Sequence, residues 1–292
     1  MVNQIAPKIV AEFIGTFALI FIGAGAAAVV GPNGIGAIAF AHGLTVMAFA
    51  FAYGNLSGAH LNPAVTIAVL SVGAISANTA VGYVVSQLAG GIAGALLLFI
   101  VLGGATTGLG TPQLAKGITL GTGTVTITPA AGFAIEAVLA FFMITVVLNT
   151  AITARSNNFA PLAIGMTVTL NIIMGGLLTG AAFNPARALG PMIATGKFTD
   201  AWLYVLAPIV GAIIGACAYA GLSRLERTVA RRTPAGWLRG DGANTGFNRC
   251  CVSTANELIR TSTTRRIRFV GRLRLDHRFG GYVSAPDFHT VA

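Results

Sequence analysis

Charge is scarce in this sequence. Only 9% of its 292 residues are Asp, Glu, Lys or Arg, against 55% hydrophobic, and a mean hydropathy of +0.80 leaves too little polar surface to cover a water-soluble domain. Acids are the scarcest: eight in all, five of them after Leu222, so that Glu12 and Glu136 are the only two inside hydrophobic stretches. Cysteine is nearly absent. Cys217 stands alone and Cys250 and Cys251 are adjacent, which gives no disulfide framework. A zinc site built from Cys250, Cys251, His277 and His289 matches no familiar ligand spacing, so neither a metal nor another cofactor is expected. No hydrophobic stretch carries the His, Asp, Cys or Ser constellation that catalysis requires, and an enzyme is not expected either.

What the chain has in abundance is long apolar runs. Six of them, at 9–30, 35–53, 79–102, 130–152, 161–178 and 201–222, are each long enough to cross a hydrocarbon core of about 30 Å at ~1.5 Å per residue. The first run could instead be a signal peptide with a cleavage site at Ala24-Gly25-Ala26, but Glu12 lies where such a segment wants an apolar core. The basic residues are lopsided: 13 of 18 follow Leu222, and only Lys8, Lys116, Arg155, Arg187 and Lys197 precede it. By the positive-inside rule, Lys8, the loop holding Arg155 and the tail share the cytoplasmic face, and Lys116 and Lys197 lie outside. The net charge of +10 is chiefly the tail's, and no nucleic-acid partner is expected. The tail, 223–292, is Arg-rich and without apolar periodicity, and reads as a disordered segment. Lipid headgroups are the alternative role for its charge.

The chain is also an internal duplication. At an offset of 122, residues 43–66 match residues 165–188 at ten of 24 positions, including Gly43/Gly165, Gly58/Gly180 and the tripeptides Asn62-Pro63-Ala64 and Asn184-Pro185-Ala186. YVVSQLAGGIAGA from Tyr83 and YVLAPIVGAIIGA from Tyr204 agree at six of 13 positions, and Glu12 has its partner in Glu136. Shared Gly90-x3-Gly94 and Gly211-x3-Gly215 put small residues on one helical face, where two backbones can approach closely. Each repeat, about 8–103 and 129–222, holds three spans. Three is odd, so the copies are inverted in the membrane. The one exchange in the aligned window that adds a charge sets Arg187 against Val65.

Asn is a preferred N-cap and Pro is favoured at the first helical position, so each Asn-Pro-Ala begins a helix. Residues 62–72 and 184–194 are too short to span, and inversion makes their amino ends converge near the midplane. The Gly/Ala-rich stretches leading in, 57–61 and 179–183, carry backbone groups that lipid cannot satisfy and that survive at membrane depth only where they line water. If the Asn62 and Asn184 carboxamide oxygens cap their own helices, the NH2 groups remain as donors into a lumen. Carbonyls of Gly58, Ala59 and His60, and of Gly180, Ala181 and Ala182, would be acceptors beside them. The expected fold is therefore all-α, a bundle of six membrane helices plus two re-entrant half-helices, spanning 1–222. The linker 103–128 is placed outside the bundle.

SGAHLNPAVT, FNPAR, the pair Glu12 and Glu136, and the GLTV that follows His42 resemble the aquaporin, or major intrinsic protein, family over about residues 8–222. The resemblance implies a homotetramer in the cell membrane, with one pore per subunit for water and sometimes small neutral solutes. It implies a selectivity filter of His42, Ile172, Ala181 and Arg187, and makes Glu12 and Glu136 acceptors that position the re-entrant loops. His42 could otherwise be a core histidine bonded to backbone, Arg187 could pair with Glu12 or Glu136 instead of facing the lumen, and a shift of one residue would exchange Ile172 for Asn171. Histidine first and isoleucine second is similar to plant tonoplast intrinsic proteins. Ala188 after Arg187, and Met192 four positions further on, depart from the glycerol-facilitator pattern and favour water. Glycerol, ammonia, urea or peroxide are the alternative solutes. A secondary transporter would suit inverted repeats, but the chain shows no cluster of acids to couple an ion.

Overall fold

The computed structural model describes residues 5–153 and 157–232. Arg155, the rest of the tail and the candidate zinc ligands Cys250, Cys251, His277 and His289 lie outside these residues. Among the described residues six helices are long and apolar enough to cross a membrane: α1 Ala6–Val30, α2 Ile35–Ser57, α4 Ala77–Val101, α5 Pro129–Ile152, α6 Ala160–Thr179 and α8 Ala201–Arg232. Between them lie two short ones, α3 Pro63–Ser71 and α7 Pro185–Thr195. At ~1.5 Å per residue these are about 14 and 17 Å long, half of a hydrocarbon core.

Local chemistry sets the helix starts. Ser76 Oγ accepts from Thr79 N at the head of α4, and Thr128 Oγ1 from Ala131 N before Pro129 at the head of α5. Pro63 and Pro185 occupy the first turns of α3 and α7, where a missing N–H costs nothing. Two features escape sequence patterns. α1 contains a π-helical turn at Leu19–Ala24 and α5 one at Leu148–Ile152, at positions that are not equivalent in the two repeats.

The core is apolar but holds fully buried polar groups, and the outside is apolar too. Glu12, Thr66, Gln87 and Glu136 are wholly buried, whereas Val81, Ile100, Phe142 and Leu170 are exposed on the outside, as a hydrocarbon solvent demands. Glycines bring the backbones together. A Cβ on Gly90 or Gly94 of α4 would strike the Phe13 or Phe17 carbonyl of α1, and one on Gly211 of α8 would strike the Ala137 carbonyl of α5. The two repeats meet through Gly43 and Gly165, where a Cβ on either would lie 2.6 Å from the other's carbonyl oxygen. In α4 and α7 the same closeness holds: a Cβ on Gly91 would lie 2.8 Å from the Ala186 carbonyl.

Two expectations are corrected. The linker is not outside the bundle: it carries a 3-10 turn at Gly108–Gly110 and a small hairpin, β1 Ile118–Leu120 with β2 Gly123–Val125. Leu109 within it is fully buried, and Ala115 N donates to the Leu178 carbonyl at the end of α6. Its scattered apolar residues, Leu109 and Leu114, are enough to fold it back over one end of the bundle. Nor does order end at Leu222. α8 continues to Arg232, because SRLERTVARR contains no Gly or Pro and is made largely of helix formers.

Gly211→Leu should lower stability by roughly 1–3 kcal/mol through overpacking against the α5 backbone. Gly221→Ala, in open space, should leave it unchanged. Thermal unfolding of the two purified variants beside the parent checks both.

Candidate functional site

Both re-entrant loops cross the membrane interior in conformations that side chains rarely adopt. Gly58 and Gly180 end α2 and α6 at φ 90° and 84°. Then Ala59 (46°), Leu61 (51°), Ala181 (41°) and Phe183 (29°) also lie at positive φ, each at a cost of about 1–2 kcal/mol for a residue with a Cβ. The same strain at the same places in both copies shows that the path is imposed, and the imposing groups are the two buried acids. Glu12 Oε1 accepts from Ser57 Oγ (2.6 Å) and His60 N (2.9 Å), and Oε2 from Leu61 N (2.7 Å). Glu136 Oε1 accepts from Thr179 Oγ1 (2.6 Å) and Ala182 N (3.0 Å), and Oε2 from Phe183 N.

Four residues that sequence reasoning left without a role complete this lattice. Ser57 Oγ and Thr179 Oγ1 each accept the N–H two residues on, at Ala59 (3.0 Å) and Ala181 (3.1 Å). Tyr83 Oη donates to the Ser57 carbonyl (2.7 Å) and Tyr204 Oη to the Thr179 carbonyl (2.6 Å). The signal was present in the repeat: Tyr83 and Tyr204 are in register, and Ser57 faces Thr179 in the alignment. With the N–H groups satisfied, the carbonyls of Gly58, Ala59, His60, Gly180, Ala181 and Ala182 accept no hydrogen bond among the described residues.

Asn62 and Asn184 stand at the junction. Asn62 Oδ1 caps α3 by accepting from Ala64 N (2.8 Å), and Asn184 Oδ1 caps α7 by accepting from Ala186 N (3.0 Å) and Arg187 N (3.3 Å). Their amides are not wholly free, which corrects the sequence expectation. Asn62 Nδ2 donates to the Phe183 carbonyl (3.0 Å) and Asn184 Nδ2 to the Leu61 carbonyl (2.9 Å), tying each loop to the other. An amide nitrogen has two protons, so each Asn keeps one N–H beyond this bond. Pro63, Ala64, Pro185 and Ala186 follow as the buried first turns of α3 and α7.

The asparagines line a narrow cavity of about 20 Å³, room for a water molecule and little more. His42, Ile172, Ala181 and Arg187 line the same cavity. His42, Ile172 and Arg187 also line a wide vestibule of about 640 Å³ under the linker hairpin, so these residues form the boundary between the two spaces. Asn171 is elsewhere: its Nδ2 donates to the Leu139 carbonyl at 2.9 Å between α5 and α6. His42 combines both of its readings, since Nδ1 meets the Ile38 carbonyl at 2.9 Å while Nε2 is buried without a partner. Arg187 Nη1 donates to the Gly110 carbonyl at 2.8 Å, and its Nε is buried and unpartnered. Among the described residues it forms no ion pair with Glu12 or Glu136, whose oxygens are taken up by the loops.

The repeats are symmetric in scaffold and different in decoration. In the first, Gln87 Nε2 donates to Glu12 Oε2 (2.8 Å) and to Thr66 Oγ1 (2.9 Å), and Thr66 Oγ1 lies 3.1 Å from His60 Nδ1. The second has Ala182 in place of His60 and Ala188 in place of Thr66, and puts its polarity into Arg187 instead. Val65, facing Arg187 across the repeat, is core. Among the described residues no group of three or more His, Cys, Asp or Glu is placed to hold a metal ion.

Arg187 is held by a glycine. Gly110 lies at φ 68° and a Cβ there would come within 2.5 Å of the Ala24 carbonyl. Gly110→Ala should therefore shift the 3-10 turn and release the Arg187 guanidinium with little change in fold. Structure determination of the variant, with the Arg187 side chain off the residue-110 carbonyl, checks this.

The sequence pattern described as MIP, major intrinsic protein, matches residues 2–219. Aquaporin NIP1-2 of Oryza sativa subsp. japonica is 39% identical over 221 residues, 72% of this chain and 70% of that protein. Glycerol uptake facilitator protein-like 6 of Lactiplantibacillus plantarum is 40% identical over 215 residues, 72% of this chain and 94% of that one. Aquaporin Z of Brucella melitensis biotype 1 is 37% identical, with 74% and 97% covered. Among solved structures, the aquaglyceroporin from Plasmodium falciparum superposes with a TM-score of 0.63 at 27% identity, over 74% of this chain and 95% of that one. Six membrane-length helices, two half-helices and these relationships lead to one statement: the chain belongs to the major intrinsic protein family, whose members are membrane channels and not enzymes.

Proposed function

We propose that the protein is a passive channel that carries water in single file and excludes protons and ions. The observation that supports this most is the reciprocal pair of bonds from Asn62 and Asn184, which places two amide donors and the amino ends of two helices at one cavity the size of a water molecule. A water there turns its oxygen to the remaining N–H groups. Held in that orientation it cannot relay a proton along the file, and the two positive helix ends oppose any cation, hydronium included. Unpaired loop carbonyls on either side replace the hydration that a passing water leaves behind. No energy source enters.

The ring of His42, Ile172, Ala181 and Arg187 serves as the filter in this reading. Its fixed cation repels cations in a desolvated passage where charge is weakly screened, Arg187 Nε offers a donor, His42 Nε2 offers an acceptor because Nδ1–H is given to the Ile38 carbonyl, and Ile172 and Ala181 supply an apolar wall. Glu12 and Glu136 act as positioning groups and take no part in proton transfer. Ala188 and the fully buried Met192 stand where the glycerol-type pattern has an acid and a base, and favour water. A wider range, with glycerol or a similar neutral solute passing too, draws its support from the relatives named for glycerol uptake and as an aquaglyceroporin. We also propose a homotetramer in the cell membrane with both termini cytoplasmic, on the placement of Lys8 and the basic tail.

Stopped-flow shrinkage of proteoliposomes under water and then glycerol gradients separates the two solute readings: fast water with glycerol at the lipid background supports the first, and comparable glycerol flux supports the second. Arg187→Val should raise proton and cation leak on the order of tenfold, by loss of a weakly screened charge, with water flux at least partly kept. His42→Ala should raise glycerol passage more than water passage. Unchanged selectivity in both variants would contradict the filter.

A further inference from the structure

α8 is longer than a membrane needs. Its 32 residues extend about 48 Å at ~1.5 Å per residue, beyond a hydrocarbon core of about 30 Å, so its last turns reach the headgroup layer. Along this end runs a groove of about 460 Å³, closed on its other side by Ser71 and Val72 at the end of α3. The groove-lining residues of α8 recur at helical spacing, and their character changes along the axis. Ile213, Ala216 and Ala220 come first, then Arg224 and Arg227. One face thus passes from apolar to dicationic over a single turn, the order of an acyl chain followed by a phosphate. Neither arginine lines the cavity at the asparagines or the vestibule.

We propose that this groove binds one phospholipid of net negative headgroup, its chain against Ile213, Ala216 and Val72 and its phosphate between Arg224 and Arg227. Charge complementarity selects the occupant: two guanidiniums at the depth of the headgroups, with an apolar floor leading into the bilayer, match an anionic lipid and not a zwitterionic one. A free phosphate shares the headgroup chemistry but has no use for the floor.

The test uses the full chain, reconstituted in equal phosphatidylglycerol and phosphatidylcholine, re-extracted in detergent, and assayed for lipid retained per protein. The parent should retain phosphatidylglycerol in excess, and Arg224→Gln/Arg227→Gln should reduce that excess about tenfold, given the strength of basic side chains at an anionic surface. Ala220→Phe, which fills the groove and leaves both charges, should reduce it too. Unaltered water flux in the variants shows that each is folded. An excess unchanged in the arginine variant would overturn the proposal, because the remaining basic residues of the tail would then account for it. An excess kept in Ala220→Phe, or removed by inorganic phosphate as readily as by added phosphatidylglycerol, would overturn it as well. The first would leave the groove without a part, and the second would make the site one for free phosphate.

Discussion

Two helices are broken in the middle of a membrane, and the structure depends on satisfying the backbone at the breaks. In hydrocarbon an unpaired N–H or C=O costs several kcal/mol, and neither loop can turn to water for its amides. The solution is a buried carboxylate in each repeat. Glu12 and Glu136 gather two loop N–H groups and a hydroxyl apiece, while a tyrosine in the third span of each repeat takes the carbonyl that ends the preceding helix. All the donors are thereby turned into the protein. The carbonyls of Gly58, Ala59, His60, Gly180, Ala181 and Ala182 are left without a donor among the described residues, which divides donors from acceptors along both loops.

Duplication supplies the rest. An inverted repeat brings two helix amino ends to one place without any special device, and Asn62 and Asn184 lock them there by each donating to the other's loop. Symmetry then frees positions to diverge. The first repeat spends its polarity on a buried chain of Gln87, Thr66 and His60; the second places Arg187 at the boundary of cavity and vestibule, anchored by the Gly110 carbonyl. The linker between the repeats, by lining the vestibule, couples that anchor to the end of α6, where Ala115 N donates to the Leu178 carbonyl.

Much of this was legible in the residues. Spans, half-helices and the inversion follow from run lengths and from the offset of 122, because helix in a membrane is dictated by hydropathy and an odd number of crossings. Ile172 comes only from the family resemblance, with Asn171 one residue away; the structure puts the Asn171 amide on the α5 carbonyl of Leu139 and Ile172 in the lining of the cavity. What sequence could not give is long-range partnership. Gly110 is an unremarkable residue in a Gly-rich linker until its carbonyl is found at Arg187. The bond from each asparagine to the opposite loop joins residues 121 and 123 apart, and local pattern sees only the cap. The π-turns are invisible for the same reason, and the helical extension to Arg232 was hidden by a change in composition that alters solvent but not propensity.

The most direct measurement is of water, proton and cation permeability together in Asn184→Asp. The aspartate keeps the cap on α7 but has no N–H for the Leu61 carbonyl, and it puts a negative charge at the amino ends of two helices. Slower water with a newly measurable proton or cation leak is the predicted result. Water flux as in the parent and no leak would contradict a barrier built from these two asparagines and the helices they cap.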